Sequence, residues 1–287
     1  MASLRQIRQR IRSVQSSKQL MRAMQLVSGS KLKRTQNRMF QSRAVLEFLD
    51  GLLQRVLAVT GTIDHPLCAK RPEGESALVL VTSDAGLCGS YNTNLIQMAE
   101  AHLRRDSAAR TKVVYIGKRG YRYFTKRGYP AAEAYVDLAG RPNPAKAEAI
   151  GRSLMELFLS GKVQSVQLLY SRYQSTTVYK PTLRQWLPIQ LEQASTPKTA
   201  RSVDYIFEPS AEAVFQDLLP RWAMATFQLV MLEAFTSEHS ARMIAMKNAT
   251  DNAEDLLGSL TRQRNRIRQA SITKELSEIV GTAEALK

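Results

Sequence analysis

Proline is missing from both ends of this chain. All ten prolines of the 287 residues lie between Pro66 and Pro220. A proline costs a helix interior roughly 3 kcal/mol and removes a backbone donor. The proline-free ends therefore read as two very long helices, each reaching on the order of 90 to 100 Å at 1.5 Å per residue. That exceeds the width of a compact domain of this size, so the expected organisation is a shaft carrying a head. Cysteine is scarce as well. Cys68 and Cys88 are the only two, which excludes a disulfide framework and fits a reducing compartment. No run of about eighteen apolar residues occurs, so no membrane-spanning helix is expected. Met1 to Arg12 lacks an apolar signal core and enters a helical pattern at Leu4, so neither a secretory signal nor a separate transit peptide is expected.

Acid is absent from Met1 to Leu46, although the chain carries a net charge of +16. The same stretch holds Arg5, Arg8, Arg10, Arg12, Lys18, Arg22, Lys31, Lys33, Arg34, Arg38 and Arg43. A solvated helix face usually mixes signs at i,i+4 spacing. A face of one sign instead seeks an anionic partner: nucleic acid, acidic headgroups or an acidic protein surface.

What is present is periodicity. Ser3 is placed to cap a helix, and Leu4, Ile7, Ile11 and Val14 follow at alternating steps of three and four. Met21, Leu32, Met39, Leu46, Leu49, Leu53 and Val56 continue the heptad, a coiled-coil seam. Its middle is polar, with Lys18, Gln25, Ser28, Thr35 and Ser42 at seam positions, so the seam is expected there to leave its partner or to face something else. At the other end Ala225, Leu229, Leu232, Met243, Met246, Ala253, Leu257, Leu260 and Ile267 keep a matching register, interrupted by Thr236, His239 and Thr250. The ends of a globular domain usually lie close together, so the two helices are expected to pair antiparallel.

The segment between them reads as α/β. Strands are expected at Ala77–Thr82, Lys112–Ile116 and Val166–Tyr170, and helices at Thr93–Arg105, Arg119–Lys126 and Pro144–Leu159. Thr176–Ile189 reads as extended, with Pro181 and Pro188 at edges or bends. Gln193–Arg201 reads as a polar loop, Tyr205–Phe207 as a short strand, and the last helix is placed from Pro209 or Ser210, with Pro220 early in it as a site for a kink. Alternating strands and helices imply a largely parallel sheet with right-handed crossovers. The fold class is thus α/β: an antiparallel coiled coil of long N- and C-terminal helices plus a Rossmann-like α/β domain. The division is a shaft helix over 1–65, an α/β foot over 66–208 and a second shaft helix over 209–287.

Candidate chemistry is thin. Ser83-Asp-Ala-Gly-Leu-Cys-Gly-Ser-Tyr-Asn92 follows a strand and opens a helix, where phosphate loops sit in α/β folds. It matches neither phosphate fingerprint, so a structural strand-to-helix turn is the stronger reading and an enzyme with a Rossmann-like domain the weaker one. Cys88 at a helix N-terminus has no histidine near it in sequence, and His65, His102 and His239 show no metal-ligand spacing. No catalytic residue, cofactor or metal site is assigned. A basic coiled-coil nucleic-acid-binding protein is the alternative function. Phe40 is the only aromatic residue before Leu46, which disfavours it.

Both ends resemble the gamma subunit of the F-type ATP synthase. The N-terminal signature is carried by Ile7 to Val27 and by Ser30-Lys-Leu-Lys-Arg34. The C-terminal one is carried by Ser237-Glu-His-Ser-Ala-Arg-Met-Ile-Ala-Met-Lys-Asn-Ala-Thr-Asp-Asn-Ala253 and by Asn265 to Leu286. The Ser83 to Asn92 loop also matches, except that Ala85 stands where an arginine is usual. The resemblance implies a non-catalytic central rotor stalk that couples ion flow through the membrane ring to ATP synthesis. Its partners would be the alpha and beta subunits of the head, the epsilon subunit and the membrane c-ring, with no nucleic acid and no cofactor. It would lie peripherally on the cytoplasmic face of the bacterial plasma membrane. It further implies that Met24 lies at the catch between shaft and beta subunit, and that Arg242, Gln269, Thr273 and Glu275 lie on the C-terminal side of that contact with the catalytic head.

Overall fold

The computed structural model describes residues 4–61, 64–71, 74–105, 111–190 and 207–285. Its elements in chain order are α1 (Leu4–Thr60), a 3-10 turn (Pro66–Cys68), β1 (Ser76–Val81), α2 (Tyr91–Arg105), β2 (Thr111–Ile116), α3 (Lys118–Thr125), β3 (Ala131–Tyr135), α4 (Pro144–Leu159), β4 (Ser165–Tyr173), β5 (Tyr179–Leu187) and α5 (Ala211–Ala285). The expected class is what the chain adopts: long helices at both ends and an α/β sheet in the middle. The Ser3 cap, the Gln193–Arg201 loop, and Tyr205 and Ile206 of the expected short strand lie outside the described residues, and Phe207 belongs to no strand. The chain divides into two compact units. One joins Met1–Ser28 to Arg242–Lys287; the other is Gly29–Ala241.

In the first unit α1 and α5 meet along an apolar seam. Ile7 and Ile11 bury against Leu260, with Val14, Leu257 and Ile267 packed around them. Lys18 Nζ lies 3.0 Å from Glu254. Rising numbers on α1 meet falling numbers on α5, so the helices are antiparallel. Each fully buried Ile or Leu contributes roughly 1.5–3 kcal/mol, whereas the exposed ion pair adds only about 0–1 kcal/mol. Burial, not charge, holds this pair. Ser28 is buried in this unit, and so are Ala253 and Thr250 on α5. The Thr250 hydroxyl donates to the Met246 carbonyl at 2.8 Å. Small side chains with satisfied hydroxyls let helices approach closely at no polar cost.

The second unit is built on a five-stranded sheet in the order β3-β2-β1-β4-β5. β1 pairs in parallel with β2 and β4, β2 in parallel with β3, and β4 antiparallel with β5. The central strand β1 is buried on both faces, which is why it reads as an unbroken apolar run rather than an alternation. Its odd residues, Ala77, Val79 and Val81, face a core made with Leu154 and Phe158 of α4, Leu53 and Val56 of α1, and Leu219, Phe227 and Val230 of α5. Its even residues, Leu78 and Leu80, face Tyr91, Leu95 and Leu103 of α2 and Phe124 of α3. Gly117 turns β2 into α3 at φ 99°, and a Cβ there would stand 2.1 Å from the Thr82 carbonyl oxygen.

Helices α1 and α5 are tied to this sheet by polar bonds as well. Arg43 Nη2 lies 2.6 Å from Glu233 Oε1 and donates to the Tyr173 carbonyl at 3.2 Å. Trp186 Nε1 donates to the Ala223 carbonyl at 2.9 Å, and its ring sits 5.2 Å from that of Phe227. The polar interruptions of the α5 heptad, Thr236 and His239, are buried here. Thr236 donates to the Leu232 carbonyl at 2.7 Å, and His239 Nε2 lies 2.8 Å from the Gly140 carbonyl. Thr35, a polar seam position of α1, is likewise buried and bonded to the Lys31 and Leu32 carbonyls. Boundaries shift from expectation by a few residues: β4 runs on to Tyr173, α2 begins at Tyr91 and α3 at Lys118. Ser210 accepts from the Ala213 N–H at 3.1 Å as α5 starts, and the helix continues through Pro220. Strand β3 was not expected. It is an alanine-rich edge strand, half exposed along its length, so it carries little apolar signal.

Two outcomes are expected. Phe227→Ala removes a fully buried ring and should lower the stability of the Gly29–Ala241 unit by about 3–5 kcal/mol, read as a drop in urea midpoint at unchanged m-value. His65 accepts the Leu67 N–H on Nδ1 at 3.0 Å, and burial holds its pKa below the usual value of 6.5. The folded state thus favours neutral imidazole, and the unfolded chain binds the extra proton as pH falls through about 6.5. Stability present above that value should be lost below it, and His65→Asn, which keeps the cap, should flatten that part of the slope in paired melts from pH 7 to pH 5.

Candidate interaction site on the terminal helix pair

All five residues expected to touch a partner fall in the first unit. Met24 is half-buried on α1, beside exposed Leu20 and Val27 at four and three residues' distance. That spacing puts the three on one helix face, an apolar strip on a helix otherwise rich in cations. Arg242 is only 8% exposed, so its guanidinium is spent within the chain. Gln269, Thr273 and Glu275 are exposed, and the Thr273 hydroxyl donates to the Gln269 carbonyl at 3.0 Å. The residues do not form one cluster. With Lys18 opposite Glu254, Met24 and Gln269 stand about 30 Å apart along the axis at 1.5 Å per residue. Arg242 stands about 9 Å along the axis from Met24 on the side away from Gln269, Thr273 and Glu275, which form a separate level. Around the latter group α5 exposes Ile272, Leu276, Ile279 and Val280, an apolar stripe at helical spacing.

Between these levels lies a feature that residue-by-residue reading missed. Arg5, Arg8, Arg10 and Arg12 of α1 stand level with Arg262, Arg264, Arg266 and Arg268 of α5, because Ile7 and Ile11 pack on Leu260. All but the half-buried Arg264 are exposed. No carboxylate occurs on α5 between Asp255 and Glu275, nor on α1 before Glu47. The pair thus wears a collar of guanidinium groups. The alternating arginines of 262–268 were the available signal, and only the antiparallel register joins them to the N-terminal set.

The Ser83–Asn92 loop belongs to the second unit, and its polar groups point inward. Asp84 accepts from the Lys118 and Asp137 N–H groups at 3.0 and 3.2 Å and from the Ala139 N–H at 2.6 Å. Asn92 accepts from the Ser83 N–H at 3.0 Å and donates to Ser83 Oγ at 2.8 Å and Cys88 Sγ at 3.1 Å. Cys88 is buried. These bonds tie the end of β1 to the starts of α2 and α3 and to the segment after β3. A guanidinium does stand at this loop in spite of Ala85: Arg119 Nη2 lies 2.5 Å from where a Cβ on Gly86 would be. Among the described residues no group of His, Cys, Asp and Glu is placed to hold a metal ion, and no helix is long and apolar enough to cross a membrane.

The chain thus combines an antiparallel pair of terminal helices bearing exposed apolar strips with a Rossmann-like sheet in its second unit. A family model described as ATP synthase matches residues 3–286. The ATP synthase gamma chain of Symbiobacterium thermophilum is 41% identical over 283 residues, covering 98% of this chain and 97% of its own. That of Pelotomaculum thermopropionicum is 40% identical over 287 residues, covering 100% of both. Among solved structures, a chain of the Euglena gracilis mitochondrial ATP synthase (OSCP/F1/c-ring, rotational state 3) is similar in fold, with a TM-score of 0.67 at 18% identity over 99% of this chain and 94% of that one.

The chain belongs to the ATP synthase gamma-chain family. The gamma subunit is a non-catalytic stalk subunit of a membrane-associated complex, and the chemistry of ATP lies in the beta subunits. The nucleic-acid alternative for the basic N-terminus finds no support in these relatives.

The inward bonding of Asp84 carries an expected outcome. Asp84→Ala orphans three backbone N–H groups and should cost roughly 1–3 kcal/mol; Asp84→Asn, which keeps acceptor capacity on one oxygen, should cost less. Thermal melts of the three proteins, read side by side, check the order.

Proposed function

We propose that this chain is the central rotor of an F-type ATP synthase and that Met24, Arg242, Gln269, Thr273 and Glu275 serve its contact with the catalytic head. The observation that carries this reading is the antiparallel seam of Ile7 and Ile11 on Leu260, with α5 continuing past it and exposed from Arg268 to Ala283. A hydrogen-bonded helix pair resists bending and twisting, which torque transmission requires. The division is a shaft of residues 1–65 and 209–287 and a foot of residues 66–208. The shaft turns within the ring of alpha and beta subunits, and the foot grips the epsilon subunit and the c-ring. Ion flow turns ring, foot and shaft together, and the asymmetric shaft drives the three catalytic sites through different affinities. The complex sits with this subunit on the cytoplasmic face of a bacterial plasma membrane.

Each part of the helix pair acquires a task. The apolar strip of Leu20, Met24 and Val27 meets the beta subunit at the catch, while the buried Arg242, about 9 Å along the axis, braces the helix from within. Gln269, Thr273 and Glu275 lie at the head-facing tip, where short polar groups beside Ile272 and Leu276 give contact without a fixed lock. The guanidinium collar attracts acidic loops of the surrounding ring over about 8 Å, the screening length at physiological salt, and imposes no single rotational position.

Met24→Lys places a cation in the apolar strip and should lower the number of protons pumped per ATP hydrolysed by the assembled complex severalfold; an unchanged ratio contradicts the catch assignment. Residues 276–283 are exposed, so removal of residues 276–287 leaves the buried seam in place. It should weaken association with the head, measured by retention of alpha and beta subunits on gel filtration, while the thermal transition of the Gly29–Ala241 unit stays in place.

A further inference from the structure

The Gly29–Ala241 unit encloses a cavity of about 400 Å3 between α1, the Leu138–Asn143 connection with the start of α4, and α5. Its size lies within the usual range of small-molecule pockets, about 300–1,000 Å3. The floor is apolar: Ile150, Met231 and Phe235 are each no more than 5% exposed. The rim carries Arg38, Arg141 and Lys146, all exposed, and no lining residue is an Asp or a Glu. Arg38 Nη1 donates to the Pro142 carbonyl at 3.0 Å, which holds it against the connection at the cavity mouth. Three nearby carboxylates are engaged by other cations, and a fourth, Glu238, is buried beside Gly140 and does not line the cavity. Glu233 pairs with Arg43, Glu148 with Arg152 and Asp137 with Lys118. The rim therefore keeps its positive charge.

We propose that this cavity is a binding site for an organic anion with an apolar body, of the class of medium-chain acyl carboxylates. Two observations act together. Below the rim the lining is mostly apolar, with Ser42 and Gln228 as neutral, half-buried polar groups, so an inorganic phosphate or the base of a nucleotide would be desolvated with little compensation. The rim offers three cations for one anionic head, each able to form a charge-assisted bond stronger than a neutral one. A neutral apolar molecule fills the floor and leaves the rim unused. An acyl carboxylate matches both, its chain on Ile150, Met231 and Phe235 and its head at Arg141 and Lys146.

The probe is a decanoate bearing a diazirine on its chain, irradiated with the assembled ATP synthase complex and mapped by peptide mass spectrometry. Its control is the decanol of the same length and diazirine position. The expected result is labelling within residues 138–150 and 225–235 of this chain, about tenfold stronger for the carboxylate than for the alcohol. Arg141→Glu with Lys146→Glu, both on exposed positions, should reduce the labelling at least about fivefold by reversing two rim charges. Ala225→Phe should abolish it by filling the cavity. Subunit content and ATP hydrolysis rate confirm that each variant complex is intact. Equal labelling by decanoate and decanol, or labelling indifferent to the charge reversal, overturns the site. So does labelling of the isolated chain that disappears in the assembled complex, because the cavity is then part of a subunit interface.

Discussion

The burial of Ile7 and Ile11 against Leu260 is the contact on which the terminal helix pair depends. An isolated helix in water is marginal, and most helical stability in proteins comes from packing one apolar face. Here that face is narrow. The residues buried further along the pair are small, Ser28, Thr250 and Ala253, and the Lys18–Glu254 ion pair is open to solvent on its carboxylate side. The guanidinium collar works against the same seam, because like charges crowded on both helices repel. A surface that opposes its own packing makes sense when another molecule supplies the missing negative charge. The collar and the seam are therefore two halves of one design: burial holds the helices together, and unbalanced charge is left for the partner.

The sheet unit solves a different problem. Its central strand is covered on both faces, by α2 and α3 on one side and by α1, α4 and α5 on the other. Both terminal helices thus belong to its core. The Arg43–Glu233 pair, its carboxylate buried and its guanidinium half-buried, sits where α1, β4 and α5 meet. Such a pair adds little net stability, yet loss of Arg43 would strand the buried Glu233 carboxylate, so this pair favours one arrangement of α1 against α5. Asp84 does the same for the chain turns at the ends of β1, β2 and β3.

Much of this was legible in the residues. The proline-free ends and their heptads announced the helices, and the odd–even alternation of β1 was hidden only because both faces are buried. Pro144 following Asn143 marked the start of α4 unambiguously, since a helix tolerates proline in its first turn and asparagine caps it. What escaped has physical causes. β3 is an edge strand of alanines whose existence rests on pairing with β2, which no local pattern reports. Ser28 and Thr35 read as gaps in a seam because polarity was weighed and size was not. The collar needed the register between two helices separated in sequence by the whole α/β segment. For the same reason the expected contact residues looked like one region and proved to be spread along the axis.

The central claim is that the two ends of the chain form one body that turns as a unit. It is tested most directly by joining them covalently and watching rotation. Lys18 and Glu254, 3.0 Å apart, are replaced by cysteines in a Cys68→Ser background and bridged with a short bismaleimide. A bead on the foot then reports rotation in single assembled complexes driven by ATP. The bridge should form in high yield and leave the speed and torque of rotation unchanged, since it joins parts that already move together. Failure of the bridge to form within the chain, or stalled rotation once it has formed, would contradict the claim.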